Sequence, residues 1–124
     1  MQLSADSHGQ RNLIAAYAAG QLRLRDRVLT ASAIVTATEV LPWPVTHAEA
    51  LTPQLLEPVL ALPVEVVLLA TGARQVWPAP ALLAHAAARG VGLEVMDLGA
   101  ACRTFNLLVG DRRPVALAAI LGAS

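Results

Sequence analysis

The sequence predicts an α/β domain with a mixed β-sheet, whose C-terminal half is a parallel βαβαβ unit and whose N-terminal strands are antiparallel. Short apolar runs such as "VVLLA" and "VALAAIL" are typical of buried strands. Segments with helical spacing separate these runs, and this alternation is the pattern of parallel strands joined by crossovers. The length of 124 residues suits one core. We therefore expect a single domain.

The N-terminal part predicts a tail followed by β structure. Residues 1–12 lack periodicity and are expected to be a disordered tail, so the domain spans 13–124. In "QLRLRDRVLTASAIVTATEV", residues 21–40, leucine alternates with arginine before a β-branched run, which predicts a hairpin or meander. The arginines of this segment are expected to form a solvated face. The two prolines of "LPWPV" end the pattern.

The C-terminal part predicts helices and strands in alternation. Thr52 and Pro53 suit the start of a helix, which Pro58 should keep short or irregular. The apolar segments 63–70 and 91–98 predict two buried strands, and Gly90 suits the end of the helix between them. A third helix over 99–109 and a last strand over 113–121 follow. In that helix, Ala101, Phe105 and Leu108 share the face expected to pack on the sheet.

Composition excludes several classes of function. Nine arginines balance nine acids, so no general attraction to nucleic acid or anionic membrane is expected. No apolar run approaches the roughly 20 residues of a membrane span. The chain opens with a polar run rather than a secretory signal, and its one cysteine cannot form an intramolecular disulfide, so the cytoplasm is the expected location. A hydrophobic content of 56% makes a homo-oligomer or a protein partner plausible.

Polar side chains follow two of the predicted buried strands. In open parallel sheets, ligands and partners bind at the carboxyl ends of the strands. If these two strands are neighbours, three residues after the first should lie close to residues after the second and on the third helix. The candidate binding residues are Thr71, Arg74, Gln75, Asp97, Cys102, Arg103 and Asn106.

Three of these candidates also have a structural interpretation. Asp97 can cap the third helix, which is favoured over catalysis. Cys102, near the helix start, could be a nucleophile, but a buried core residue is favoured because no histidine lies near it in sequence. Arg103 could hold a carboxylate or phosphate, or could pair internally with Asp97 or Glu94. No metal-ligand spacing or nucleotide motif is present, so no cofactor is expected.

The segments "TGARQVWP" and "EVMDLGAACRTFNLLVGDRRPVALAAIL" carry a family resemblance. The sequence resembles the domain of unknown function 498 family, which includes mitochondrial NADH dehydrogenase (complex I) assembly factor 3. The likeness is dense over residues 64–121 and looser over 13–60, where Tyr17, Gly20 and Trp43 fit. The resemblance implies a compact three-layer α/β domain, and mitochondrial relatives that act with a partner factor in complex I assembly.

We therefore predict a non-enzymatic protein-interaction module resembling an assembly factor. It would use the loops after the two central strands and the start of the third helix. The alternative is a binder of a small anionic ligand, or a thiol-dependent enzyme, in the same crevice. Arg103 and Arg74 would then hold the anion, with Cys102 as nucleophile. An exposed thiol would favour the enzyme.

Overall fold

The computed structural model describes residues 11–122. The predicted tail, residues 1–12, lies outside the described residues except for its last two positions. Of these, Asn12 is tied to the domain, because its backbone N–H donates to the carbonyl of Ala37 at 2.8 Å. Its side-chain amide donates to the carbonyl of Thr36 at 2.9 Å. The ordered chain thus includes Asn12.

The first three strands form a small antiparallel sheet of their own. They are β1 (Ala16–Ala18), β2 (Gln21–Arg23) and β3 (Val28–Leu29), in the order β1-β2-β3. Leu22 is fully buried and pairs with Tyr17 on one side and Leu29 on the other. Arg23, Arg25 and Arg27 are exposed, as the alternation predicts.

The main sheet is mixed and has five strands. It contains β4 (Ala33–Thr36), β5 (Val40–Pro42), β6 (Val66–Ala70), β7 (Gly92–Met96) and β8 (Val115–Ala119) in the order β5-β4-β8-β6-β7. β6 pairs in parallel with both β7 and β8, whereas β4 pairs antiparallel with β5 and β8. The predicted combination of a parallel C-terminal half with antiparallel N-terminal strands is confirmed. The last strand of the chain lies in the middle of this sheet.

Helices cover both faces of the main sheet. They are a 3-10 turn (Ala48–Ala50), α1 (Pro53–Leu60), α2 (Pro80–Ala88) and α3 (Leu98–Gly110). Leu68 and Leu117 point to one face, where they pack with Phe105 of α3 and with the small sheet. The alternate residues Val67 and Ala118 point to the other face, where they meet α1 and α2. The period of two along each strand thus builds two cores and three layers.

Local signals place the helix ends. The Thr52 hydroxyl accepts a hydrogen bond from the N–H of Leu55 at 3.2 Å, which caps α1. Gly90 has a φ of +77°, the left-handed conformation that glycine adopts easily after a helix. In α3, Ala101 and Phe105 are fully buried and Leu108 is half-buried, so the predicted apolar face of this helix packs on the sheet.

One strand differs from the prediction. The segment 91–98 was expected to be buried on both sides, but β7 is an edge strand with Gly92 and Glu94 exposed. Its apolar residues pack with α2 and α3, and no further strand within residues 11–122 pairs with its outer edge. The apolar composition of a strand indicates whether its faces are covered, but it does not indicate whether another strand pairs with its edge.

None of the helices within residues 11–122 has the length and apolar character that crossing a membrane requires.

Candidate functional site

A crevice of about 800 Å³ opens at the C-terminal ends of β6, β7 and β8. The residues that line it come from the loops that leave these three strands, from the start of α3, from β1 and the β1–β2 turn, and from residues 46–49. Its lining includes four predicted candidates, which are Thr71, Arg74, Asp97 and Arg103. It also includes Tyr17, Gly20, Thr46, His47, Glu49, Gly72, Gly99, Ile120 and Gly122.

The loop after β6 is held by Thr71. The Thr71 hydroxyl donates to the carbonyl of Arg74 at 2.7 Å and accepts from the N–H of Val76 at 2.9 Å. The carbonyl of Gly72, which has a φ of +103°, accepts from the N–H of Leu98 at 2.7 Å. These bonds tie the loop to the start of α3. The Arg74 side chain is exposed and has no hydrogen-bond or ion-pair partner within residues 11–122.

Asp97 is the N-cap of α3. One of its carboxylate oxygens accepts from the N–H of Ala100 at 2.9 Å, and its backbone is extended. This confirms the structural interpretation of Asp97, since a carboxylate at this position satisfies an otherwise unpaired helix N–H group. Asp97 also lines the crevice, and its carboxylate contributes negative charge there.

Arg103 projects into the crevice beside Tyr17. Its guanidinium donates to the Tyr17 hydroxyl at 2.7 Å, a contact between residues 86 positions apart. The internal ion pair with Asp97 or Glu94, one of the two alternatives for Arg103, is absent from the described residues. The Tyr17 ring lies directly over Gly99, where an added Cβ would be 2.8 Å from the phenol oxygen. A glycine at this position therefore allows Tyr17 to reach the arginine.

The other three candidates lie outside the crevice. Cys102 is buried against the sheet, as the favoured interpretation expects, and desolvation raises the pKa of its thiol to about 11, although the nearby Arg103 charge opposes the shift. Gln75 donates its amide N–H to the carbonyl of Val95 at 2.8 Å, on the β7 edge. The Asn106 side chain accepts from the N–H of Ile14 at 2.8 Å and donates to its carbonyl at 3.0 Å. Gln75 and Asn106 thus hold chain segments together.

Sequence reasoning missed several residues that line the crevice. Tyr17 entered only through the family resemblance, and neither Glu49 nor Gly122 was singled out. His47 also lines the crevice, and its Nδ1 lies 3.1 Å from the Thr46 hydroxyl. An added Cβ at Gly122 would overlap the carbonyl oxygen of Thr46, so two backbones meet there. Only a glycine next to a strand end could have hinted at this approach.

The side chains offer no grouping of three or more histidine, cysteine, aspartate or glutamate residues for a metal ion within the described part of the chain. The crevice residues supply instead two guanidinium groups, two carboxylates, one phenol hydroxyl and an imidazole. The guanidinium groups and the hydroxyl can donate hydrogen bonds to anions and other acceptors. The arrangement is therefore suited to recognition.

Comparisons with known proteins agree with this fold. A family model described as "Protein of unknown function (DUF498/DUF598)" matches residues 14–120. An NMR structure of a Xanthomonas campestris protein is 36% identical, with a TM-score of 0.85, and the match covers 98% of this chain and 93% of that one. A Bordetella pertussis protein described as a Mth938-like domain is 29% identical, with a TM-score of 0.78, over 91% of this chain and 88% of that one.

A curated relative carries a descriptive name. The "13 kDa major membrane protein" of Francisella tularensis subsp. holarctica (strain LVS) is 31% identical over 84 residues, which are 66% of this chain and 68% of that protein. This name states the size of that relative and calls it a membrane protein, but it states no activity.

Proposed function

Because this chain belongs to the DUF498/DUF598 family of proteins of unknown function, we propose its role from the crevice itself: it is a non-enzymatic module that binds a partner protein there. The resemblance to a complex I assembly factor supports an assembly role as the class of activity. The lone free thiol suits a reducing compartment, so the proposal also places the protein in the cytoplasm.

The presentation of Arg103 carries this proposal. Its guanidinium is exposed, lines the crevice and is held by the Tyr17 hydroxyl rather than by a carboxylate. A surface arginine that makes no ion pair within residues 11–122, and whose orientation is set by a second residue, is prepared to contact another molecule. Arginine is also among the residues that contribute most to protein interfaces.

The remaining polar groups argue for binding rather than catalysis. The Thr71 hydroxyl and the Asp97 carboxylate are engaged in local structure, and the Cys102 thiol is buried away from the crevice with a raised pKa. The thiol-dependent enzyme considered from the sequence therefore receives no support from the structure. A free anionic ligand would use the same two arginines as a protein partner.

The test is affinity capture with a matched pair of variants in the full chain. Arg103→Ala removes the presented cation, whereas Arg113→Ala removes an exposed arginine that pairs with Glu65 near the starts of β8 and β6, at the opposite ends of the strands. We expect Arg103→Ala to lose the partner, because an interface arginine can contribute about 2 kcal/mol or more. Its own fold should lose only about 1 kcal/mol, the value of one hydrogen bond. Equal recovery by Arg103→Ala and Arg113→Ala would refute the proposal.

A further inference from the structure

We infer that the group recognised in the crevice is a carboxylate carried on an apolar stem, presented by the partner protein. This inference rests on the proposed function and specifies the chemistry of the same site. Two features support it: a pair of guanidinium groups that make no ion pair within residues 11–122, and apolar side chains that line the same crevice.

The two arginines supply the anion-binding groups. Each guanidinium has five N–H donors in a planar fork that matches a carboxylate. Arg103 uses its Nη1 on Tyr17, and Arg74 uses no donor on the described residues. Elsewhere on the surface, Arg89 and Arg113 each pair with a glutamate. The crevice arginines are therefore available to an external anion.

Part of the crevice lining is apolar. Val76 is half-buried and Ala18 and Ala73 are exposed, whereas Leu98 and Ile120 are each only 5% exposed and add little area. Exposed apolar surface gains free energy when a hydrocarbon covers it. A carboxylate attached to an apolar stem satisfies both the arginines and this apolar lining, which a strongly hydrated inorganic anion does not.

Two carboxylates of the chain limit the charge of the ligand. Asp97 caps α3 and Glu49 lies in the 3-10 turn, and both line the crevice with His47. Asp97 is partly satisfied by the N–H of Ala100. A second negative charge on the ligand would face these acids. We therefore expect a monocarboxylate to bind better than a dicarboxylate of similar length.

The chemistry can be tested on the nitrogen-15-labelled full chain with small probes. Hexanoate has both the carboxylate and the stem, hexanol lacks the carboxylate, and acetate lacks the stem. We expect hexanoate to cause saturable amide shifts at Gly72 and Gly99, and each control probe to bind at least about tenfold more weakly. Arg103→Gln and Arg74→Gln should weaken hexanoate binding by a similar factor, whereas Arg113→Gln should not. Equal binding of hexanol, or shifts unchanged in both crevice variants, would overturn the inference.

Competition separates this inference from the proposed function. Hexanoate should release the captured partner from the wild-type chain, and hexanol at the same concentration should not. A partner that depends on Arg103 but is retained in saturating hexanoate would leave the proposed function intact and refute the carboxylate inference. Arginine-dependent hexanoate binding together with partner capture that ignores Arg103 would uphold the carboxylate site, supplied by a free acid, and refute the proposed function.

Discussion

The polar side chains near α3 fall into two groups: those that hold this chain together and those that are available to another molecule. Asp97 and Asn106 form hydrogen bonds with the backbone of this chain, whereas the Tyr17 hydroxyl orients the exposed Arg103 side chain. Tyr17 in turn depends on Gly99, because any larger side chain would collide with its ring. The availability of Arg103 thus depends on two other residues, Tyr17 and Gly99.

Cys102 is predicted to be unreactive in the folded protein. Desolvation raises the pKa of its thiol from 9.0 to about 11, so the nucleophilic thiolate is scarce at neutral pH and the buried sulfur is also inaccessible. We expect slow modification by iodoacetamide at neutral pH, measured by mass spectrometry, and fast modification of the unfolded chain. Cys102→Ser should destabilise the fold by about 1–3 kcal/mol, because it buries a hydroxyl without an assured partner. Rapid labelling of the native protein would contradict this assignment.

At the scale of elements, α3 links the two sheets. Its buried face packs on the main sheet, and its other face contacts the strand that contains Tyr17. On the opposite layer, α1 and α2 are joined by Glu57, whose carboxylate accepts hydrogen bonds from Arg89 and contacts His85 Nε2 at 2.9 Å. Polar pairs therefore connect elements on both faces of the sheet.

The contact between α1 and α2 predicts a pH dependence. Hydrogen bonding to Arg89, and then to His85, holds the pKa of Glu57 below its usual 4.5. A carboxyl with a lowered folded-state pKa stabilises the protein above the unfolded pKa, and this contribution is lost as the pH falls through the folded pKa. The melting temperature of the wild type should thus fall more than that of Glu57→Gln between about pH 6 and about pH 3.

The control for this effect is Arg89→Ala, which removes the main cause of the lowered pKa. Its melting curve should show a weaker acid dependence than the wild type. Parallel curves for the wild type and Glu57→Gln across the acid range would show that this contact does not contribute to stability.

At the scale of the whole molecule, local signals predicted the elements and distant contacts determined the site. The capping of α1 by Thr52, the burial of Phe105 and the neighbouring positions of β6 and β7 all follow from patterns within a few residues or from the βαβ rule. The position of Tyr17 beside Arg103 does not, because the two residues are 86 positions apart. The exposed edge of β7 was missed because its composition resembles that of a central strand.

The central claim is that the crevice at the C-terminal ends of β6, β7 and β8 is the binding surface. Amide hydrogen exchange of the full chain, free and with its captured partner, tests this claim most directly. The account predicts that protection on binding appears in the segments 17–20, 72–76 and 98–103, which contain residues that line the crevice. Protection confined to residues 112 and 113, before the start of β8 at the opposite ends of the strands, with the crevice segments unchanged, would contradict it.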